Sequence, residues 1–451
     1  MVSGHAEPLA LARDVLARAL AAGASEAEVL VGAEDAALTR FANSEIHQNV
    51  TETNLNINLR FVAGRRIAVA ATSRADAEGL KALVRRAAAI ARTCEELADW
   101  GGLPAPDDGT APAAASAYAT ATAEASPEFR AEAVRAVIAA ADAEGVLAYG
   151  SFSTSREAVA VATSTGIRAE QERTRSQLLT VSMSADGGTG YGEAAATDAS
   201  TIDAAAIGRE SAAKAGATGH AISLPPGDYP VVLEEYAVVD LADMLGYLGF
   251  SALAVQEERS FAEPGRRIAS ELVTIVDDAD DPAGTPMAFD YEGVRKQRVT
   301  LLDRGVCQDV VYDAQTAARA GRRSTGHGLP APNHYGPFPL NMVMSAGTTP
   351  RDDLIAGMDR GLLVTRFWYT NPVHPKLVIV TGMTRDGTFL VEGGRIVAPV
   401  RNLRFTQSYL DALAGVTAVG RERKTLKGFL GSVVVPALRI EGWTFTGATE
   451  H

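Results

Sequence analysis

The sequence predicts an α+β protein with two domains, each built from a mostly antiparallel sheet and packed helices. The chain has 451 residues, about three times the length of a typical single domain. Strand-like runs joined by hairpin turns outnumber strand–helix–strand units, which favours antiparallel sheets. A Leu-Pro-Pro-Gly segment at 224–227 interrupts the pattern, which restarts beyond it. We therefore expect an N-terminal α+β domain over residues 1–224 and a C-terminal, β-rich domain over residues 225–451.

The N-terminal domain begins with a predicted amphipathic helix and a hairpin. The helix has apolar residues at three- and four-residue spacing before Gly23: Leu9, Ala12, Leu16 and Leu20. In the first strand of the hairpin, four apolar residues alternate with three polar ones: Leu55, Ile57, Leu59 and Phe61 with Asn56, Asn58 and Arg60. This period of two is typical of a half-buried strand, so we expect the apolar set to face the core and the polar set to face solvent or a partner.

The remaining elements follow from the same kinds of pattern. Helices are predicted near residues 80–90, 128–143, 202–215 and 237–255, and strands near 29–31, 67–71, 147–153, 157–163, 167–184 and 229–233. Residues 101–126 are rich in Pro, Ala, Thr and Asp without periodicity, which indicates an exposed loop inside the first domain. Beyond residue 255 we expect mostly short strands separated by Gly and Pro.

Charge and cysteine content exclude several classes of function. The formal net charge is −13 and the sequence pI is about 5.1. Because an acidic surface repels phosphates, no nucleic-acid partner is expected. Two cysteines, Cys94 and Cys307, cannot form a disulfide framework. The sequence shows no signal-peptide core and no apolar stretch of about 18 residues, so we expect a cytoplasmic protein with no membrane partner.

Residue spacing alone does not assemble a catalytic site. The seven histidines form no HExxH motif, and His327 and His334 lie in a Gly/Pro-rich loop without a partner at metal-ligand spacing. No GxSxG motif occurs, and Cys307 is expected to be an inert thiol. The acidic run Asp277–Asp281 lacks the central glycine and distal glutamate of a calcium loop, so we expect a solvated turn there.

Several stretches together resemble the TldD/PmbA family of metallopeptidases. The N-terminal part is similar to that family in RFANSEIHQNV (40–50) and NLNINLRFVAGRRIAVA (54–70). The C-terminal part is similar in four stretches: FDYEGVRKQRVTLLDRGV (289–306), GLLVTRFWYTNP (361–372), TGMTRDGTFLVEGGRI (381–396) and GSVVVPALRIEGWTF (431–445). Their order and spacing agree with the family over nearly the whole chain.

The resemblance implies one of two kinds of subunit. In this family the TldD kind carries HExxxH on the helix that opens the C-terminal domain, and a distant cysteine completes a zinc site. The corresponding helix here lies within residues 231–258 and has no histidine, and the segment Lys427–Ser432, near which the cysteine is expected, has none. The resemblance therefore implies the TldE/PmbA kind, with no catalytic residue, no metal ligand and no cofactor of its own. Its implied partners are a TldD-like zinc-bearing subunit and a small unfolded peptide that the heteromeric peptidase degrades or trims.

We expect such a subunit to support peptide binding and assembly. The predicted strand Leu362–Tyr369 is a candidate edge for an extended peptide or for a subunit contact, although Phe367 and Trp368 could equally be core residues. The candidate peptide-binding or interface residues are Arg366, Trp368, Tyr369, Tyr247 and Phe250. Two alternatives stay open, so activity of the chain alone is undecided. One is a homodimeric peptide-binding protein. The other is a divergent stand-alone peptidase that uses His327, His334, His374 or Cys307.

Overall fold

The computed structural model describes residues 7–106 and 117–448. Its helices are Pro8–Ala21 (α1), Ala77–Ala91 (α2), Thr120–Ala123 (α3), Pro127–Ala143 (α4), Ala204–Ala217 (α5), Glu235–Leu248 (α6), Ala252–Gln256 (α7), Ala314–Arg319 (α8), Arg351–Ala356 (α9) and Tyr409–Ala414 (α10). The strands of the N-terminal half are Glu26–Ala42 (β1), Glu45–Ala63 (β2), Arg66–Thr72 (β3), Leu147–Thr163 (β4), Arg168–Met183 (β5) and Thr189–Ala196 (β6).

The C-terminal half contributes eleven further strands. They are Gly227–Leu233 (β7), Ile275–Asp277 (β8), Val299–Asp303 (β9), Val306–Cys307 (β10), Asn341–Met344 (β11), Arg360–His374 (β12), Ile379–Glu392 (β13), Arg395–Pro399 (β14), Leu403–Ser408 (β15), Val416–Lys427 (β16) and Ser432–Ala448 (β17). The predicted α+β class is confirmed. In the part of the chain that the structure describes, no helix is long and apolar enough to cross a membrane.

The N-terminal sheet is antiparallel throughout, with strand order β3-β2-β1-β4-β5-β6. Its helices cover one face: α1 and α2 pack over β1–β3, and α4 and α5 pack over β4–β6. The two strands predicted at 147–153 and 157–163 form the single strand β4. The polar segment between them stays extended because it is paired with β1 on one side and with β5 on the other.

The hairpin prediction is confirmed for Ile57, Leu59 and Phe61 on the apolar face and for the exposed Asn56 on the polar face, but Asn58 and Arg60 are covered by the chain itself. Ile57, Leu59 and Phe61 are at most 2% exposed and lie in the core under α1 and α2. Asn58 and Arg60 point to the opposite face, where the C-terminal half of the chain covers them. Asn58 donates to the carbonyl of Ala331, and Arg60 pairs with a carboxylate of the C-terminal half.

The C-terminal sheet contains a closed ring of five strands. β7 pairs with both β12 and β17, while β12, β13, β15 and β17 pair in sequence. Helix α6 packs against β12 and β17, and its buried residues belong to the largest apolar core of the chain. The two sheets use residues 26–196 and 227–448. The domain boundary after residue 224 stays a prediction.

Two sequence predictions are corrected by local packing. The helix expected over 237–255 ends at Leu248, and α7 begins after a break at Gly249. A side chain at Gly249 would lie about 2.1 Å from the ring of Phe261, so this glycine permits a close contact there. The predicted exposed loop 101–126 is partly packed, since Leu103 and Thr122 are buried. Residues 107–116 of that loop lie outside the described residues.

Candidate functional site

A cleft of about 420 Å³ lies between the N-terminal sheet and the turn that joins β16 to β17. Its floor is the sheet face that the helices leave open, and the turn residues Lys427–Ser432 contribute the opposite wall. Small-ligand sites in proteins usually have volumes of about 300–1,000 Å³, so the cleft is of adequate size for a short peptide or a metabolite.

Strand register places a row of side chains across the cleft floor. Ala36 on β1 pairs with Glu52 on β2 and with Ser155 on β4, and Ser155 pairs with Arg175 on β5. Directly paired residues of neighbouring strands point to the same face. All four residues line the cleft, with a carboxylate at one end of the row and a guanidinium at the other.

Two arginines share one carboxylate on the β5 side of the floor. Arg173 Nε donates to Glu157 Oε2 at 2.6 Å, while Arg175 Nη1 lies 3.4 Å from Glu157 Oε1. The pKa of Arg175 is lowered, first by the charge of Arg173 and then by burial. On β1, burial and the charge of Glu157 raise the pKa of Glu34. The floor therefore carries opposite charges on opposite sides.

The turn is fastened to both halves of the chain by two carboxylates. Glu193 on β6 accepts a hydrogen bond from the backbone N–H of Lys427 at 3.4 Å. Asp243 on α6 accepts one from the backbone N–H of Phe429 at 3.0 Å. The position of the turn thus depends on one acidic side chain from each half of the chain: Glu193 on β6 and Asp243 on α6.

The two aspartates of α6 accept hydrogen bonds from within the protein, whereas Glu235 Oε2 is buried without a partner among the described residues. Asp240 accepts from the hydroxyls of Thr370 and Tyr409, each at 2.6 Å. Burial raises the pKa of Asp240. Burial, followed by the charge of Asp240, raises the pKa of Asp243 to about 8. Both carboxyls lie on the helix where the family resemblance places HExxxH.

A partly exposed aromatic cluster adjoins the cleft through Phe429, which lines it. The ring of Phe429 lies 5.8 Å from that of Tyr247 and 6.5 Å from that of Tyr335. Phe429 is 56% exposed, and the two tyrosines are 38% and 37% exposed. The ring of His334 lies 4.3 Å from that of Tyr335 in a tilted arrangement, so this predicted loop histidine belongs to the aromatic cluster.

A partly buried ion network, which the sequence analysis missed, joins the two halves of the chain. Lys424 on β16 donates to Glu210 on α5 and to the hydroxyl of Tyr236, each at 2.7 Å. Lys214 donates to Glu210 at 2.9 Å and to Glu234 at 2.5 Å. Although burial alone would raise the pKa of Glu210, the two lysines lower it to about 2. No spacing rule indicates such a network, because its members lie up to 214 residues apart in the chain.

The segment Asp290–Gly293, which is part of the family resemblance, connects the C-terminal half to the N-terminal sheet through side-chain contacts. Asp290 accepts hydrogen bonds from the backbone N–H groups of Glu292, Val294 and Gly328 at 2.7–2.9 Å. Burial raises the pKa of Asp290 to about 7 and that of Glu292 to about 8. The Tyr291 hydroxyl accepts from the Arg173 guanidinium at 3.1 Å. The segment thus packs against the open face of the N-terminal sheet.

The histidine and cysteine candidates for stand-alone catalysis do not converge. His327 is fully buried rather than on the surface, with Nε2 2.8 Å from Asp277 and Nδ1 2.9 Å from the Thr325 hydroxyl. His374 accepts a backbone hydrogen bond in a short turn after β12. Cys307 is buried, and burial first of all raises the pKa of its thiol to about 11. Each group therefore has a local structural role.

The sequence predicts a solvated turn at Asp277–Asp281, but the first residue of this run is buried in the structure. Asp277 is fully buried and lies 3.0 Å from the ammonium of Lys296. Burial would raise the pKa of Asp277, but Lys296 and His327 hold it well below its usual range. The reason is that residue 277 is the last residue of β8 and not part of the exposed turn.

Three of the five predicted interface residues, Arg366, Trp368 and Tyr369, lie in the second half of β12. Trp368 is 40% exposed and Tyr369 is 71% exposed. Arg366 is mostly buried: it pairs with Asp386 and its guanidinium lies 4.2 Å from the Tyr191 ring and 4.8 Å from the Trp368 ring. The mostly buried Arg366 side chain therefore packs against the ring of Trp368.

The other two predicted interface residues differ from each other. Tyr247 is 38% exposed, and its ring contacts that of Phe429, which lines the cleft. Phe250 is fully buried, with its ring 5.2 Å from that of Phe261, so its assignment as an interface residue is wrong. The break after α6 turns Phe250 into the core, which the uninterrupted helix predicted from the sequence did not allow for.

One edge of β12 is open along its second half. β7 pairs with β12 only at Leu362–Val364, whereas β13 pairs with β12 from Arg360 to His374. Within the described ranges, residues 366–374 consequently have no strand neighbour on the β7 side. An unpaired row of backbone N–H and carbonyl groups is a site at which another chain can add a strand.

The helix and turn expected at a zinc site do not offer zinc ligands. α6 has neither histidine nor cysteine, and the turn Lys427–Ser432 has no cysteine. The carboxyls of Asp240 and Asp243 accept hydrogen bonds from within the protein. Across residues 7–106 and 117–448, no group of three or more His, Cys, Asp or Glu side chains is placed to hold a metal ion. This donor set does not fit zinc.

Comparison with solved structures identifies the same fold elsewhere. The crystal structure of TldE from Thermococcus kodakarensis superposes with a TM-score of 0.86 over 97% of this chain and 100% of that chain, at 20% sequence identity. Among curated proteins, the metalloprotease TldD homolog of Haemophilus influenzae is 28% identical over 249 residues, which is 50% of each chain. The TldD homolog of Buchnera aphidicola is 29% identical over 170 residues, 36% of this chain and 34% of that protein. The chain thus spans half or less of these curated relatives.

Family models account for most of the chain. The PmbA/TldA metallopeptidase domain 1 matches residues 27–91, the central domain matches residues 119–218, and the C-terminal domain matches residues 226–447. The matches follow the family's order, and the helix and turn described above lie in the third of them. The chain belongs to the PmbA/TldD metallopeptidase family.

Proposed function

We propose that this chain is a TldE-like, non-catalytic subunit of a cytoplasmic, heteromeric peptidase that acts on small unfolded peptides. In this proposal a TldD-like subunit supplies zinc and the catalytic glutamate. The observation that carries the proposal is the donor set of α6 and the turn Lys427–Ser432, which lacks histidine and cysteine. Zinc lowers the pKa of a bound water to about 7 and so generates the nucleophile in such enzymes. We therefore propose that this chain acts together with a zinc-bearing subunit.

The cleft supports a role in peptide binding. It combines hydroxyls and charged groups on the sheet with the aromatic ring of Phe429. A short peptide has amide groups, charged ends and apolar side chains that can contact them. The backbone of β1, β4 and β5 is already paired on both sides, so the ligand would be held by side chains and not by strand addition. We propose that this chain contributes a wall of the peptide path.

The open edge of β12 supports a role in assembly. Four large apolar side chains around it are 40–71% exposed: Trp368, Tyr369, Val373 and Leu377. Exposed apolar clusters on soluble proteins commonly mark interaction surfaces, and aromatic residues are enriched in such interfaces. We propose that residues 366–378 form the subunit contact.

Metal content and activity test the proposal. The purified chain should contain far less than one zinc per chain and should not cleave short peptides, whereas a TldD-like protein prepared identically should contain zinc. About one zinc per chain, lost in His327→Ala or His374→Ala, would overturn the non-catalytic assignment. The same protocol applied to both proteins controls for metal lost during purification.

A homodimeric peptide-binding protein is the second candidate. The specific observation in its favour is the same open β12 edge, because two copies of an antiparallel edge can pair with each other. The two candidates differ in one measurable respect: a homodimer forms without a TldD-like protein, whereas the proposed subunit requires one for its full assembly.

A further inference from the structure

We propose that the cleft recognises both free ends of a short peptide, the C-terminal carboxylate at Arg175 and Lys427 and the N-terminal ammonium at Glu52 and Glu34. This inference rests on the proposed function in taking a peptide as the ligand. It adds the ligand class: an unblocked, extended peptide of about four residues.

The carboxylate end is indicated by a buried guanidinium nitrogen without a hydrogen-bond partner, in a side chain whose charge is shared with Glu157 and Tyr291. Among the described residues, Arg175 Nε is buried without a hydrogen-bond partner, and Arg175 shares Glu157 with Arg173. Lys427 lines the same cleft from the turn and forms no ion pair within the described ranges. A carboxylate placed between these two side chains would accept charge-assisted hydrogen bonds from both. It would also relieve the repulsion by Arg173 that lowers the pKa of Arg175.

The ammonium end is indicated by two carboxylates on the other side of the floor. Glu52 on β2 and Glu34 on β1 both line the cleft. Glu34 lies across from Glu157 in the strand register, and burial together with this like charge disfavours its ionised form more than the charges of Arg175 and Arg173 favour it. A peptide ammonium beside Glu34 would stabilise that ionised form. The two ends of the ligand therefore meet complementary charges.

The spacing of the two ends sets the length of the ligand. Glu52 and Arg175 belong to one cross-strand row and are separated by three strand spacings. With about 4.8 Å between strands, the row spans roughly 14 Å. An extended peptide covers about 3.3–3.6 Å per residue, so four residues span the same distance. Between the ends, the row offers the small side chains of Ala36 and Ser155, which leave room for a peptide backbone.

Calorimetric titration of the full chain with tetra-alanine tests this inference. We expect the peptide with two free ends to bind, and C-terminal amidation and N-terminal acetylation each to weaken its affinity roughly ten-fold or more. Arg175→Gln should abolish the preference for the free acid over the amide, while Arg175→Lys should keep part of it. Glu52→Gln should reduce the preference for the free amine. Arg304→Gln, at a turn outside the cleft, should change neither preference and serves as the control.

Two results would overturn the inference. One is equal affinity for the free acid and the amide, and the other is no binding of the free tetrapeptide to the folded chain. If Arg175→Gln does not fold by circular dichroism, the exposed variant Lys427→Gln provides the same comparison. Assembly with a TldD-like protein is measured separately, so failure here is distinguishable from failure of the proposed function.

Discussion

Arg60 on β2 lies 3.2 Å from a carboxylate oxygen of Glu292, which follows it by 232 residues in the chain. The same guanidinium lies 3.4 Å from Glu28 on β1. The two glutamate side chains are each only 4% exposed, and burial raises the pKa of both. One arginine thus stands between two buried carboxyls where the N-terminal sheet meets the C-terminal half.

Replacing Arg60 should destabilise the protein strongly. Removing one partner of a buried ion pair usually costs about 3–5 kcal/mol. Without Arg60 the two buried carboxyls lose the charge and the hydrogen-bond donor that favour their ionised forms. We expect Arg60→Ala to lower the free energy of unfolding by about that amount in a urea titration. Arg304→Ala is the matched control, since Arg304 pairs with Glu271 at the surface and such pairs usually contribute about 0–1 kcal/mol. Equal losses in the two variants would show that Arg60 does not join the two halves.

The β2 strand allows three neighbouring positions to be compared. Leu59→Ala should cost about 2–5 kcal/mol, because it leaves a cavity in the core under α1 and α2. Asn58→Ala should cost about 1–3 kcal/mol, because the carbonyl of Ala331 loses its donor. Asn56 is exposed, so Asn56→Ala should be nearly neutral. Thermal unfolding of the three variants checks this order, and an Asn58 variant as neutral as Asn56→Ala would contradict the contact with Ala331.

The pH dependence of stability should report on Asp243. Its pKa is raised to about 8 in the folded protein, so between roughly pH 4 and 8 the folded state holds a proton that the unfolded state has released. The stability from this group is fully present below about pH 4 and is lost as the pH rises towards 8. Asp243→Asn should therefore gain stability relative to the native chain as the pH increases over this window. Chemical unfolding at pH 5 and pH 8 measures the difference, and a gap that is constant between these pH values would exclude the raised pKa.

Residues 366–378, the proposed subunit contact, should affect assembly and not folding. Trp368→Asp places a charge in the proposed contact surface, where charges are disfavoured in interface cores. We expect this variant to keep the melting temperature within a few degrees but to weaken association with a TldD-like protein at least ten-fold. Leu272→Asp, at a similarly exposed apolar residue elsewhere, is the control. Loss of association in both variants, or in neither, would argue against residues 366–378 as the contact.

Local patterns predicted much of the fold. The alternation at Leu55–Phe61 correctly placed Ile57 and Leu59 in the core, because one face of β2 is covered by helices of the same half. The same alternation did not indicate what covers the other face. Asn58 and Arg60 contact residues more than 230 positions away, and no local pattern contains that information.

The candidate site was less predictable than the fold. The absence of zinc ligands on α6 follows from residue types alone and is already visible in the sequence. The cleft depends on which strands are neighbours: Glu52 and Arg175 enter one row only because β2, β1, β4 and β5 are adjacent in that order. Phe250 was misassigned because the sequence analysis continued the helix through Gly249, although a glycine there is an ordinary helix-termination signal and forms the C-cap in the structure. A Cβ at this position would clash with Phe261, which only the packing shows.

The mass of an equimolar mixture with a TldD-like protein tests the central claim most directly. Size-exclusion chromatography with light scattering at micromolar concentration measures it, with each protein alone as the reference. If the chain is a subunit of a heteromeric peptidase, the mixture should elute as one species whose mass contains both chains, and peptide cleavage should coincide with that species. Two separate peaks at the masses of the isolated proteins, with cleavage confined to the TldD-like peak, would contradict the account.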